Sequence, residues 1–106
     1  MSEKNEKKVL VKIHQAYREI VAVCDPELVG KKFEEDNMQI DVTEEFFKGE
    51  EMSESKVLKV LQEKANDDAS FNIVGKNSVE IAAKAGIIDK DRCLIIQKVP
   101  VAMALA

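Results

Sequence analysis

Only two cysteines and one histidine occur in the sequence, and neither Cys24 nor Cys93 sits in a Cys-x-x-Cys or cysteine–histidine spacing. That pattern speaks against a zinc site and against a disulfide framework, and two reduced structural thiols are expected, with no metal and no cofactor. No apolar stretch approaches the roughly 20 residues of a membrane-spanning helix, and none of signal-peptide length follows the charged start MSEKNEKK. A cytoplasmic protein without a membrane partner is expected. An excess of basic charge is absent as well: the net charge is −4, and from Glu34 to Glu54 nine acidic residues stand against the single Lys48. Charge therefore gives no support to direct nucleic-acid binding. The acidic segment reads either as a solvated face or as a surface for a basic partner.

What is present is a globular composition, 45% hydrophobic and 34% charged with 5% aromatic residues. A length of 106 residues is enough for one small core. The expected organisation is a flexible lead-in over 1–8 and a single α+β domain over 9–106. Val9, Val11 and Ile13 alternate with Leu10, Lys12 and His14, and a second strand-like run ends at Cys24, so the two form a hairpin. In DPELVG, Asp25 suits an N-cap, Pro26 a first helical position and Gly30 the residue after a helix, which predicts one helical turn. MQIDVT at 38–43 predicts a third strand, followed by a short element carrying Phe46 and Phe47.

Ser53 opens a predicted helix over 54–65 with Val57, Leu58, Leu61 and Ala65 on one stripe. SFNIVG reads as a strand, and Asn77 with Glu80 fits a capping box for a helix ending at Gly86, with Val79, Ala82 and Ala83 on its buried side. The run CLIIQKV suits a strand covered on both faces, in the middle of a sheet. These elements predict an α+β two-layer sandwich: a mostly antiparallel sheet of four to five strands, covered by two helices on one face.

The opening hairpin, CDPELVGKKF, FNIVGKNSVEIAAKAG and the closing VPVA occur in this order, with Leu28, Gly30 and Phe33 after the Cys24-Asp25 turn and Asn72, Val74 and Gly75 before a helix. In this the sequence resembles the small archaeal proteins of the domain of unknown function 424 family over nearly its whole length. The resemblance implies an archaeal cytoplasmic protein of a family without an established activity. The family pattern has a histidine after the closing Val-Pro, where this chain has Val101, so no role of that histidine carries over.

Two turns are the candidate sites. Cys24, Asp25, Gly30 and Lys31 form the first, where a cysteine precedes a helical turn; a thiolate would gain from the backbone dipoles and lose from Asp25 beside it, and His14 is the only base on offer. Gly75, Lys76, Asn77 and Ser78 form the second, with free N–H groups, a lysine and a hydroxyl where a strand meets a helix, a pattern that serves either anion binding or capping. The paired carboxylates Glu44–Glu45 and Glu50–Glu51 read as a solvated acidic loop. The apolar tail VPVAMALA either packs on its own domain, burying Val101, Met103 and Leu105, or forms a patch for oligomerisation.

No complete catalytic constellation is present, which leaves enzymatic activity open and favours a non-enzymatic binding or adaptor module with a protein or ribonucleoprotein partner, linked by base rate to translation or RNA handling. The alternative is a small enzyme or ligand-binding domain acting on a phosphate-bearing metabolite.

Overall fold

The computed structural model describes residues 7–105. Most of the expected lead-in, residues 1–6, lies outside the described residues, and Lys8 already belongs to a strand. That strand, β1 (Lys8–His14), pairs antiparallel with β2 (Ile20–Cys24), Leu10 opposite Cys24 and His14 opposite Ile20. The alternation does what its period requires. Val9 and Val11 are buried on one face of the sheet, while Leu10, Lys12 and His14 point to the other.

After a 3-10 turn at Pro26–Leu28, beyond which Gly30 takes the left-handed backbone (φ 88°) that suits glycine, the chain forms a separate hairpin from β3 (Lys32–Glu35) and β4 (Met38–Asp41). Helix α1 (Glu44–Phe47) follows, capped by Thr43 Oγ1 accepting from the Phe46 N–H at 3.2 Å. Strand β5 (Glu50–Ser53) then returns to β1 as its second antiparallel neighbour, and α2 (Glu54–Asn66) leads to β6 (Ser70–Val74), which lies parallel to β2. Helix α3 (Lys76–Lys84), a 3-10 turn at Lys90–Arg92, β7 (Leu94–Ile96) and β8 (Val99–Leu105) complete the chain, β8 pairing antiparallel with both β6 and β7. The sheet order is β5-β1-β2-β6-β8-β7.

Among the described residues the fold is thus α+β with a mixed six-stranded sheet, one parallel pair at its centre, and three helices. A parallel neighbour needs a crossover, and the whole segment from β3 to α2 supplies it. Two differences from the expected architecture follow. The main sheet is larger, because the short acidic stretch EEMS, despite glutamate's low strand propensity, and the tail Val99–Leu105 join it as strands, whereas the expected strand at 38–43 pairs with KFEE in a separate two-stranded hairpin. In addition, the face opposite α2 and α3 is partly covered by the β3–β4 hairpin and α1.

Two cores result. On the helix side, Val57, Leu61, Val79, Ile81 and Ala82 pack on Val9, Val11, Val21, Val23, Phe71 and Ile73. On the hairpin side, Val42 and Phe47 pack on Ala22, Cys24, Val74, Ile96 and Val101.

The apolar runs at the end exchange their expected places. Leu94–Ile96 is an edge strand, with Leu94 and Ile95 about half exposed, and the tail is the interior strand. An uninterrupted apolar run says that both faces tolerate apolar contact. It does not say that both edges are paired. Val101 is buried as expected, but Met103 and Leu105 are 74% and 77% exposed, because they lie on the part of the sheet face that the hairpin does not reach.

Candidate functional site

The structure brings the two sequence candidates together. Asp25 leaves the end of β2, which lies beside β6, and its buried carboxylate reaches the first turn of α3. There it accepts from the Asn77 N–H (Oδ2, 3.1 Å), the Ser78 N–H (Oδ1, 2.9 Å) and the Ser78 hydroxyl (Oδ1, 2.7 Å). Gly75 is the N-cap at φ 114°, and a Cβ added there would lie 2.4 Å from the Asp25 Cγ, so glycine is required by backbone and by space.

The expected capping box therefore does not form: α3 starts at Lys76, one position before Asn77, and Glu80 pairs instead with Lys7, a hydrogen bond that holds its carboxyl below the usual range. Nor does Asp25 cap the 3-10 turn that follows it. Lys76, Gly30 and Lys31 are exposed and take no part in this clamp. A helix start is an anion site in the general sense. Here the anion is the chain's own aspartate, and it takes the N–H groups that a phosphate would need.

Cys24 is fully buried, its thiol donating to the Phe47 carbonyl at a long 3.8 Å. Burial first, and then the charges of Asp25 and Glu27, push the thiol from 9.0 up to about 12. His14 lies four residues further along β1 than Leu10, the partner of Cys24, hence about 13 Å away by strand rise. Its ring stacks on Phe46 at 4.5 Å and its Nε2 meets the Phe46 carbonyl at 2.9 Å. No Cys–His pair exists.

Two results are expected from the Cys24 environment. In the folded protein Cys24 reacts with iodoacetamide at neutral pH only as fast as the chain unfolds, whereas Cys93, half-buried, reacts sooner; rapid labelling of Cys24 in the native state would contradict this burial. Because the folded value is the higher one, the native state holds this proton more tightly, and the associated stability is complete below about pH 9 and declines as pH rises toward 12.

A second place is a cavity of about 300 Å³ that sequence reasoning did not anticipate. Its floor is Val74 and Val101 of the sheet, its wall Met38 and Ile40 of the β3–β4 hairpin, and its few polar groups include Asn72 and Gln39. Leu94 and Met103 line it too and are 53% and 74% exposed, so the cavity continues into an uncovered apolar rim. The signal was in the alternation itself. Met38 and Ile40 make one apolar face on a hairpin, and the large residues of VAMAL fall on one face of β8, both faces needing cover. Among the described residues no three His, Cys, Asp or Glu side chains converge as a metal site, and no helix is long and apolar enough to cross a membrane.

No curated protein matches the sequence. The fold is shared with the crystal structure of an uncharacterized conserved protein from Methanopyrus kandleri, at a TM-score of 0.82 and 21% identity, over 92% of this chain and 90% of that one. At that identity the likeness speaks for the fold alone. The family model described as "Protein of unknown function (DUF424)" matches residues 13–106, from the end of β1 through the Asp25 clamp and the cavity to the last strand, and the chain belongs to that family.

Proposed function

We propose that this protein is a non-enzymatic binding module that seats an apolar side chain of a partner protein in the cavity under the β3–β4 hairpin. The observation that carries the reading is the cavity itself. At about 300 Å³ it stands at the small end of ligand sites, it is mostly apolar with a few placed polar groups, and it opens onto exposed Leu94 and Met103. A volume of that size suits one large aliphatic or aromatic side chain, and Asn72 is the group best placed to take a backbone hydrogen bond from the segment that carries it.

The environments of Cys24 and of Gly75–Ser78 favour structural roles over an enzyme acting on a phosphate-bearing metabolite. The reading includes a single domain in the cytoplasm, supported by two free thiols and the family resemblance. A link to translation or RNA handling rests on base rate, and the acidic hairpin side argues that any such link runs through a protein component of the assembly.

Methyl-resolved NMR tests this directly. Peptides of about five residues carrying a single Leu, Phe or Met are titrated into dilute protein, beside inorganic phosphate as a control. Shifts are expected at the methyls of Ile40, Ile96 and Val101 with the peptides, and no response to phosphate. Unmoved cavity methyls across the series, or a phosphate response at the backbone amide signals of Asn77 and Ser78 recorded alongside, would sink the reading.

A further inference from the structure

The outer half of β8 is a sheet edge without a strand partner among the described residues. The Pro100 carbonyl accepts from the Gly75 N–H at 2.9 Å, on the β6 side. In an antiparallel ladder successive residues turn their backbone groups to opposite neighbours, so the even-numbered residues of β8 bond β6 and the odd-numbered ones face away. Strand β7 serves Val99 and Val101 and ends at Leu94. Met103 and Leu105 are left with N–H and C=O groups directed outward, beside apolar side chains that are themselves exposed.

Proteins usually blunt such edges with charge. The opposite edge follows this rule, since β5 carries exposed Glu50 and Glu51, but residues 102–105 of β8 carry no charge at all.

We propose that this edge pairs with a second copy of itself, antiparallel, about a two-fold axis through Ala104. The register follows from the geometry. Antiparallel pairing keeps opposite side chains on one face, which requires the axis to pass through a residue. An axis at Met103 would set Leu105 against the other copy's Val101, whose backbone groups already serve β7. An axis at Ala104 sets Met103 of each copy opposite Leu105 of the other, uses both free residues twice, and forms two apolar cross-strand pairs on the open face, while the two Ala104 side chains meet on the helix face with little bulk.

The charged groups flanking the edge are Asp89 and Arg92, of opposite sign and 3.7 Å apart, so a two-fold contact brings no excess of like charge together. A standard interface covers about 800 Å² per partner, more than this short ladder and its four side chains offer, so the dimer is weak, with Kd on the order of 10 to 100 µM.

Sedimentation of the full chain from about 1 µM to about 1 mM spans that range. Monomer is expected at the dilute end and dimer at the concentrated end, with the amide protons of Met103 and Leu105 becoming slow to exchange only where dimer forms. A variant with both Met103→Lys and Leu105→Lys should stay monomeric throughout; its melt at low concentration, equal to wild type, shows that the fold is intact. If the variant does not fold, the exchange of the two wild-type amides against concentration still decides. A protein monomeric at the top of the range, a dimer that survives the double-lysine change, or concentration-dependent protection on β5 instead of β8 would overturn the proposal. Cavity binding is read at the dilute end, so the failure of either inference leaves the other standing.

Discussion

Asp25→Ala is expected to destabilise the protein by about 3–5 kcal/mol, a large share of the roughly 5–15 kcal/mol that holds a domain of this size. The carboxylate is 2% exposed and satisfies three donors, the N–H groups of Asn77 and Ser78 and the Ser78 hydroxyl. Removing it leaves the buried Ser78 N–H and the half-buried Asn77 N–H without an acceptor, at about 1–3 kcal/mol each when fully buried, and removes the favourable meeting of a negative charge with a helix N-terminus. The Ser78 hydroxyl can turn to another acceptor; the N–H groups cannot.

Asp25→Asn keeps one acceptor oxygen but sets its NH₂ against a donor, and should fall between wild type and Asp25→Ala. Ser78→Ala removes one hydrogen bond and leaves the two N–H contacts intact, so it should cost about 1 kcal/mol. Urea unfolding with an unchanged m-value orders the three variants. An Asp25→Ala protein within about 1 kcal/mol of wild type would mean that the clamp does not hold β2 to α3.

The same residues show where sequence reading stops. Asp25 is correctly a helix-capping type, and Gly75–Ser78 correctly a helix start with free N–H groups, yet local rules assign Asp25 to the turn beside it and leave the helix to cap itself. The two meet only because β6 lies parallel beside β2, a pairing 52 positions apart in the chain for Asp25 and Asn77. Nothing in either stretch encodes it.

Periodicity performs well where one face is buried and the other is wet, as at Val9–Val11 in β1 or Val57–Leu61 in α2. It fails for KFEE and EEMS, which are four residues long, rich in glutamate and mostly exposed, so that pairing with a neighbour and not burial of their own side chains makes them strands. The two walls of the cavity were visible as alternation, but not their meeting: one belongs to a hairpin whose first strand is one of these, the other to a tail whose strand order could not be read from its composition.

Truncation after Pro100 has the largest expected effect, and the physical cause is not the apolar side chains that draw attention to the tail. Met103 and Leu105 are mostly exposed, and changing both to serine should alter stability by no more than about 1 kcal/mol. The backbone of residues 101–105, in contrast, pairs along all of β6, from Val74 opposite Val101 to Ser70 opposite Leu105. Without it the buried strand carrying Phe71 and Ile73 loses one whole ladder, Ala102 and Ala104 leave the helix-side core, and Val101 leaves the hairpin-side core. Strand β7 loses Val101, one of its three partners on β8.

A ladder of five residues and a share of both cores together match the entire stability of a small domain, so the shortened chain should show no cooperative thermal transition while the double-serine protein melts like wild type. Near-ultraviolet and amide circular dichroism of the two, recorded at the dilute end where self-association is absent, separates backbone from side chain. A truncated chain that still melts cooperatively within a few degrees of wild type would mean that β6 is stable as a sheet edge, and that β8 is an attachment to the fold instead of part of its frame.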